Sequence, residues 1–256
     1  MTDILSRIKQ EIKYQRQRDW TLREVGAHWD ATTDYDDINE RTYSYFRRFV
    51  DGFALYPGLK PGKTLDICSR TGNGTLYYWQ RGKIEKAVCA DVSQKMLNIC
   101  HQHLKDKNIE HELTLFTDCP LPFVDKQFDN ILSFETIEHI ASPAVFLKEL
   151  GRVIKSDGIL VLTMPNILWE AVHFLAAVFK FHHSEGPHTF LRKTFVEKEL
   201  AKNNFKLLAY QAAILIPGGP KKLIKLGEYL EKNLPAKIID LLALRRIFIC
   251  QKHESR

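Results

Sequence analysis

Between residues 64 and 164 five short apolar runs alternate with stretches of helical periodicity, and several of the runs have no polar face. The runs are TLDIC (64–68), KAVCAD (86–91), residues 113–116, FDNILSF (128–134) and ILVLTM (159–164). A strand that is apolar on both faces needs cover on both, and intervening helices supply it. The expected fold is therefore α/β, a doubly wound and mostly parallel sheet. Ser93 reads as an N-cap, followed by Met96, Leu97, Cys100 and Leu104 at helical spacing. Ser142-Pro143 opens a second helix, with Val145, Phe146, Leu150 and Val153 expected on one face. Ser156-Asp157-Gly158 reads as a turn into the fifth strand, and Thr194 with Glu197 as a capping box for a helix reaching Asn204. A sixth strand is expected over 205–215, helices over 217–244 with a break at Pro235, and a late strand over 246–251. Residues 1–50, with Trp20, Trp29, Tyr35 and Tyr43 among charges, read as a helical cap. Nothing marks a linker, so one domain over 1–256 is expected.

Composition narrows the class. With 45% hydrophobic and 27% charged residues the chain is neither disordered nor a membrane bundle. The longest mainly apolar stretch, 167–181, is broken by Glu170, His173 and Lys180, whereas a spanning helix needs about 20 apolar residues. The first twenty residues lack a signal-peptide core, so a cytoplasmic protein is expected. The five cysteines contain no CxxC, which argues against a disulfide framework or a zinc site. Of the net charge of +6, residues 217–256 carry +5, from nine Lys/Arg against four Asp/Glu. Either an anionic partner or a solvated basic face accounts for that excess.

In a doubly wound sheet ligands lie beyond the C-terminal ends of the strands. The first strand holds Asp66 and runs into the turn CSRTGNG, where only Gly72 and Gly74 are glycine. A GxGxxG is absent, which argues against a nicotinamide dinucleotide. Asp91 ends the second strand, where a carboxylate either accepts ribose hydroxyls or serves as turn chemistry.

The order TLDICSRTGNG, CADVSQKML, TDCPLPFVDKQFDNILSFETIEHI, FLKELGRVIKSDGILVLTMPN resembles the class I S-adenosylmethionine (SAM)-dependent methyltransferases over residues 25–210. The resemblance implies a Rossmann-like seven-stranded sheet whose seventh strand, RIFICQ, is antiparallel. It implies that Asp66 and the turn Cys68–Gly72 lie against the methionine part of SAM and that Asp91 binds the ribose. By the same resemblance Val92 and Met96 pack near the adenine, and Asp118 with Cys119 reaches its amino group. Two glycines usual in that turn are replaced by Cys68 and Arg70. These side chains either crowd the amino-acid end of SAM, or Arg70 pairs with its carboxylate; retained binding is expected.

Glu135, Glu138 and His139 follow the fourth strand at i, i+3 and i+4, one face of a helical turn. Together with His188 they suit a divalent ion such as Mg, Mn or Zn. The segment resembles that of ubiquinone-pathway O-methyltransferases and small-RNA 2′-O-methyltransferases. Metal-free methyltransferases also carry a Glu-His here, and the metal-free arrangement is the expectation. Glu135 is placed in the catalytic set, with His139 or His188 as general base. An acceptor lid is expected over 165–195, where Trp169, Phe174, Phe179 and Phe181 suit a small hydrophobic acceptor. Residues 221–234 form a basic amphipathic stretch suited either to an anionic membrane surface, delivering a lipid-linked acceptor, or to packing on the sheet. No RNA-binding motif is present, so nucleic acid is not the expected partner. The expected activity is methyl transfer, with O-methylation favoured. A non-catalytic SAM-binding module and an RNA 2′-O-methyltransferase are the alternatives.

Overall fold

The computed structural model describes residues 2–33, 35–36, 42–179 and 184–254. Seven strands form one sheet: β1 (Lys63–Ile67), β2 (Lys86–Asp91), β3 (His111–Leu115), β4 (Phe128–Phe134), β5 (Ile154–Pro165), β6 (Phe205–Ala213) and β7 (Arg245–Lys252). Their order is β3-β2-β1-β4-β5-β7-β6, with β7 antiparallel to both its neighbours and the other pairings parallel. The seven-stranded, mostly parallel arrangement and the inserted antiparallel strand match the expectation. Leu65 and Ile67, Val88 and Cys89, Ile131 and Leu132, and Leu160 and Leu162 are all at most 1% exposed, as strands covered on both sides require.

The described helices are α1 (Thr2–Arg16), α2 (Leu22–Ala31), α3 (Tyr43–Leu55), α4 (Asn73–Trp79), α5 (Gln94–Lys105), α6 (Pro143–Val153), α7 (Glu170–Val178), α8 (Lys193–Lys202), α9 (Lys221–Asn233) and α10 (Ala236–Leu242). Ser93 caps α5, its hydroxyl accepting from Met96 N at 3.1 Å. Pro143 starts α6, although Ser142 makes no side-chain cap bond. Pro235 separates α9 from α10. α2 begins in a full capping box between Thr21 and Glu24.

Four local expectations are corrected. Ser156-Asp157-Gly158 lies inside β5, which starts at Ile154. There the β4–β5 register shifts and Asp157 takes φ 64°, so an irregularity absorbs the turn residues. Thr194 and Glu197 form no capping box, because α8 starts two residues too early for it and Arg192 is its N-cap. Val145 is exposed, outside the face that Phe146, Leu150 and Val153 bury. The sixth strand ends at Ala213.

The N-terminal helices do not stand apart. α1 packs on α7, α2 on α5, and α3 on α4, β5, β6 and β7. The strand order reverses between β1 and β4, so the tips of those two strands diverge and leave a crevice.

Candidate functional site

Asp66 is buried in β1, and its Oδ2 accepts from Thr75 N (3.0 Å) and Thr75 Oγ1 (2.7 Å) in α4. Burial pushes its carboxyl up to about 7 against those two bonds. The turn after β1 keeps a glycine-like path without the glycines. Cys68 and Arg70 take φ of 53° and 51°, a region costing L-residues roughly 1–2 kcal/mol each. Gly72 takes φ 82°, and a Cβ there would lie 2.8 Å from Cys100 Sγ.

Arg70 serves this turn rather than facing it as a free cation. Its N–H donates to Asp91 Oδ2 (2.8 Å), and its guanidinium donates to the carbonyls of Phe134 (3.0 Å) and Glu135 (2.6 Å). The second oxygen of Asp91 accepts from Ser93 N at 2.9 Å. Burial raises the Asp91 carboxyl against those bonds.

Helix α2 closes over this crevice. Asp30 Oδ1 accepts from Ser93 Oγ (2.6 Å) and Lys95 N (3.1 Å). Gly26 lies so close to the strand tip that a Cβ would sit 2.2 Å from the Val92 carbonyl oxygen. About 10 Å³ remains among Val25, Trp29, Cys68, Asp91, Val92 and His139, room for one water. Met96 is fully buried beneath. In kind, the carboxylates of Asp66 and Asp91 and the intervening turn fit a nucleoside donor. In width, the crevice admits none while α2 is seated. Asp118 is exposed, its Oδ1 accepting from Cys119 N; neither residue lines this crevice.

The Glu-x-x-Glu-His segment does not present one face. Ile137–His139 is a single 3₁₀ turn and Glu135 takes φ 51°. At three residues per turn His139 points about a third of a turn away from its neighbour Glu138. Glu135 accepts from Arg245 Nε at 3.0 Å, and Arg245 Nη1 also donates to the Ser44 carbonyl (2.8 Å). Burial pushes Glu135 up, but Arg245 and Arg48 more than offset it and hold the carboxyl below its usual value. Glu138 has no such partner: its Oε2 has no hydrogen bond among the described residues, and burial next to Glu135 raises its carboxyl well above the usual range.

His139 is clamped by Trp20 Nε1 donating to its carbonyl (2.8 Å), with Nδ1 3.3 Å from the Pro187 carbonyl. Burial lowers its imidazole to about 3, so it is a weak base. His188 is buried with Nδ1 2.8 Å from the Gly186 carbonyl, and its ring lies 6.3 Å from that of His139. Neither imidazole lines the cavity described next, which removes the geometric reason for choosing either as base. Among the described residues no three His, Cys, Asp or Glu side chains converge as metal ligands do.

A cavity of about 380 Å³ opens beyond β4 and β5. Trp29, Tyr35, Trp169, Val172, Ala176 and Phe190 supply its apolar walls, and Glu135, Glu138, Arg48, Arg70 and Arg245 its polar floor. Trp169 and α7 thus bring part of the 165–195 stretch to the cavity wall. Phe174 does not line the cavity, Phe179 is exposed at 56%, and Phe181 lies outside the described residues. Arg48 and Arg245 were not legible as site residues, because a lone arginine in a basic chain carries no sequence sign of burial. Arg48 is 9% exposed, and its one hydrogen bond runs from Nε to the Tyr45 carbonyl (3.0 Å), which leaves both η nitrogens unpaired among the described residues.

Comparisons with known proteins agree with this geometry. Residues 65–162 match the profile of a family described as a methyltransferase domain. The ubiquinone/menaquinone biosynthesis C-methyltransferase UbiE of Cupriavidus taiwanensis is 24% identical over 160 residues, covering 61% of this chain and 66% of that protein. The matched region therefore falls just short of two thirds of that relative's length. Among solved structures, the YcgJ protein of Bacillus subtilis aligns over 82% of this chain and 99% of its own, with TM-score 0.60 and 17% identity. Phosphoethanolamine N-methyltransferase 2 of Haemonchus contortus, solved with S-adenosyl-L-methionine, aligns over 90% of this chain and 60% of its own, with TM-score 0.62 and 17% identity.

Proposed function

We propose that this chain, which matches a methyltransferase-domain family over residues 65–162, is a class I SAM-dependent methyltransferase that methylates a hydroxyl of a small hydrophobic acceptor seated in the cavity beyond β4 and β5. The observation that carries this reading is the cavity itself, with aromatic walls and, in its floor, Glu138, whose Oε2 has no hydrogen bond among the described residues. SAM, when bound, supplies an electrophilic methyl carbon. The chain's own residues align the acceptor, exclude water and take a proton.

Trp29 and Trp169 hold the acceptor's apolar body. Glu138 takes the hydroxyl proton, since burial makes it a stronger base than an exposed carboxylate. Glu135 is committed to Arg245 and positions the floor. Asp91 and Asp66 hold the nucleoside and amino-acid ends of SAM once α2 has moved off the strand tips. Arg70 is tied to two carbonyls, so the carboxylate of SAM falls to Arg48, the guanidinium with η nitrogens to spare.

Incubation with isotope-labelled SAM and a cell extract tests the reading. S-adenosylhomocysteine release with label in an organic-soluble product is expected, and Glu138→Gln should lower turnover about 100-fold with SAM binding retained. Binding without release would leave only a SAM-binding module. Full turnover in Glu138→Gln would remove the assigned base.

A further inference from the structure

Three large apolar residues of α9 face the wrong way for a helix that merely packs on a sheet. Its carboxylates point inward: Glu228 accepts from Tyr43 Oη (2.6 Å), and Glu231 from Arg47 Nη2 (3.1 Å) and Leu215 N (3.1 Å). Leu223, Leu226 and Tyr229 point outward, 46%, 47% and 62% exposed. An amphipathic surface helix ordinarily does the reverse.

Two neighbouring elements continue the pattern. Leu168, Val172, Leu175 and Phe179 recur at intervals of four, three and four along the α7 segment, all about half exposed. Leu241 and Leu242 of α10 are also outward. The α7 segment and α10 are joined edge to edge, through Asn166 Nδ2 to the Leu241 carbonyl (2.9 Å) and Trp169 Nε1 to the Leu242 carbonyl (2.8 Å).

Charge on this face has one sign. Lys221, Lys222, Lys225, Lys232 and Lys237 are exposed and make no ion pair among the described residues. The acidic residue of α10, Asp240, is taken by Arg246 (2.8 Å) and Lys193 (3.4 Å). The face also adjoins the cavity, which Trp169, Val172 and Ala176 and the Pro217–Gly219 turn leading into α9 all line.

We propose that the outward faces of α7, α9 and α10 form a docking surface for an anionic lipid bilayer, placing the cavity mouth against the lipid so that a membrane-dissolved acceptor enters without crossing water. Aliphatic side chains enter the acyl boundary while unpaired lysines meet the headgroups. A protein partner of matching shape would need acidic groups opposite five separate lysines, whereas an anionic leaflet offers them everywhere. The inference rests on the cavity being the acceptor site, but the surface can be tested without any methyl transfer.

Co-sedimentation with vesicles of equimolar phosphatidylcholine and phosphatidylglycerol, against phosphatidylcholine alone, provides the test. Wild type should bind the anionic vesicles and release with rising salt. Lys221→Gln/Lys222→Gln/Lys225→Gln should weaken partitioning about 100-fold, at roughly five-fold per lysine near an anionic surface. Leu175→Ser/Leu226→Ser, also at exposed positions, should weaken it with an unchanged thermal midpoint. Absence of binding to the anionic vesicles, or equal binding to both compositions, would overturn the proposal. So would a stable dimer in ultracentrifugation that the leucine variant dissociates, because the face would then belong to a second copy. Vesicle binding without S-adenosylhomocysteine release would leave the surface standing and remove the catalytic reading alone.

Discussion

Asparagine at position 66 keeps an oxygen where Thr75 donates and carries no charge, so Asp66→Asn isolates the cost of burying the β1 carboxylate. Asp66 is 3% exposed and titrates at about 7 in the folded chain, against an ordinary 3.8. A raised folded value means that the native state binds the proton more tightly than the unfolded chain. Stability from this group is therefore complete below pH about 4 and is lost progressively up to pH about 7. Three units at 1.36 kcal/mol each give about 4 kcal/mol across that window. The variant lacks this loss, so it should gain on wild type by about 4 kcal/mol between pH 4 and pH 8. In urea unfolding the difference in midpoints should widen by about 1–2 M over that range. Midpoints that stay a constant distance apart would refute the reasoning. A difference that widens in favour of wild type would mean that the carboxylate is held charged, by Arg70 or another cation.

Two further substitutions probe the crevice and the cavity floor. Gly26→Ala forces α2 away from the Val92 carbonyl; the thermal midpoint should fall by an amount equivalent to about 1–3 kcal/mol. Because the closed form alone is penalised, calorimetry should show tighter S-adenosylhomocysteine binding than in wild type, and weaker binding would show that α2 belongs to the ligand-holding arrangement. Arg245→Met leaves Glu135 buried without its partner, at a cost of about 3–5 kcal/mol. Adding Glu135→Gln should restore much of that stability in thermal melts, and purely additive losses would contradict the pairing.

The sheet was legible because β2, β4 and β5 leave no polar face, a pattern that only a doubly covered strand tolerates. β7 was legible as RIFICQ, although its antiparallel direction came from the family resemblance and its place between β5 and β6 only from the structure. The site was less legible. Asp91 was found from its position at a strand end and Asp66 from the family resemblance, but the sequence holds no sign that α2 lies over them. Helical spacing was the wrong ruler for Glu135, Glu138 and His139, since a positive φ and a 3₁₀ turn send the histidine elsewhere. Local caps misled at Thr194 because the bond pattern of α8 begins one residue before it. Arg48 and Arg245 acquire their roles only from tertiary burial, 197 positions apart in the chain.

Within the sheet β6 touches β7 and no other strand. During synthesis β6 therefore leaves the ribosome before its sole partner exists, while the flank of β5 stays open to any stray backbone. Arg245 arrives with that same partner, so completing the sheet and furnishing the cavity with a cation are one event. A nascent chain stalled upstream of residue 245 would expose a sticky strand margin and lack a working pocket, which makes the interval a natural target for chaperone capture.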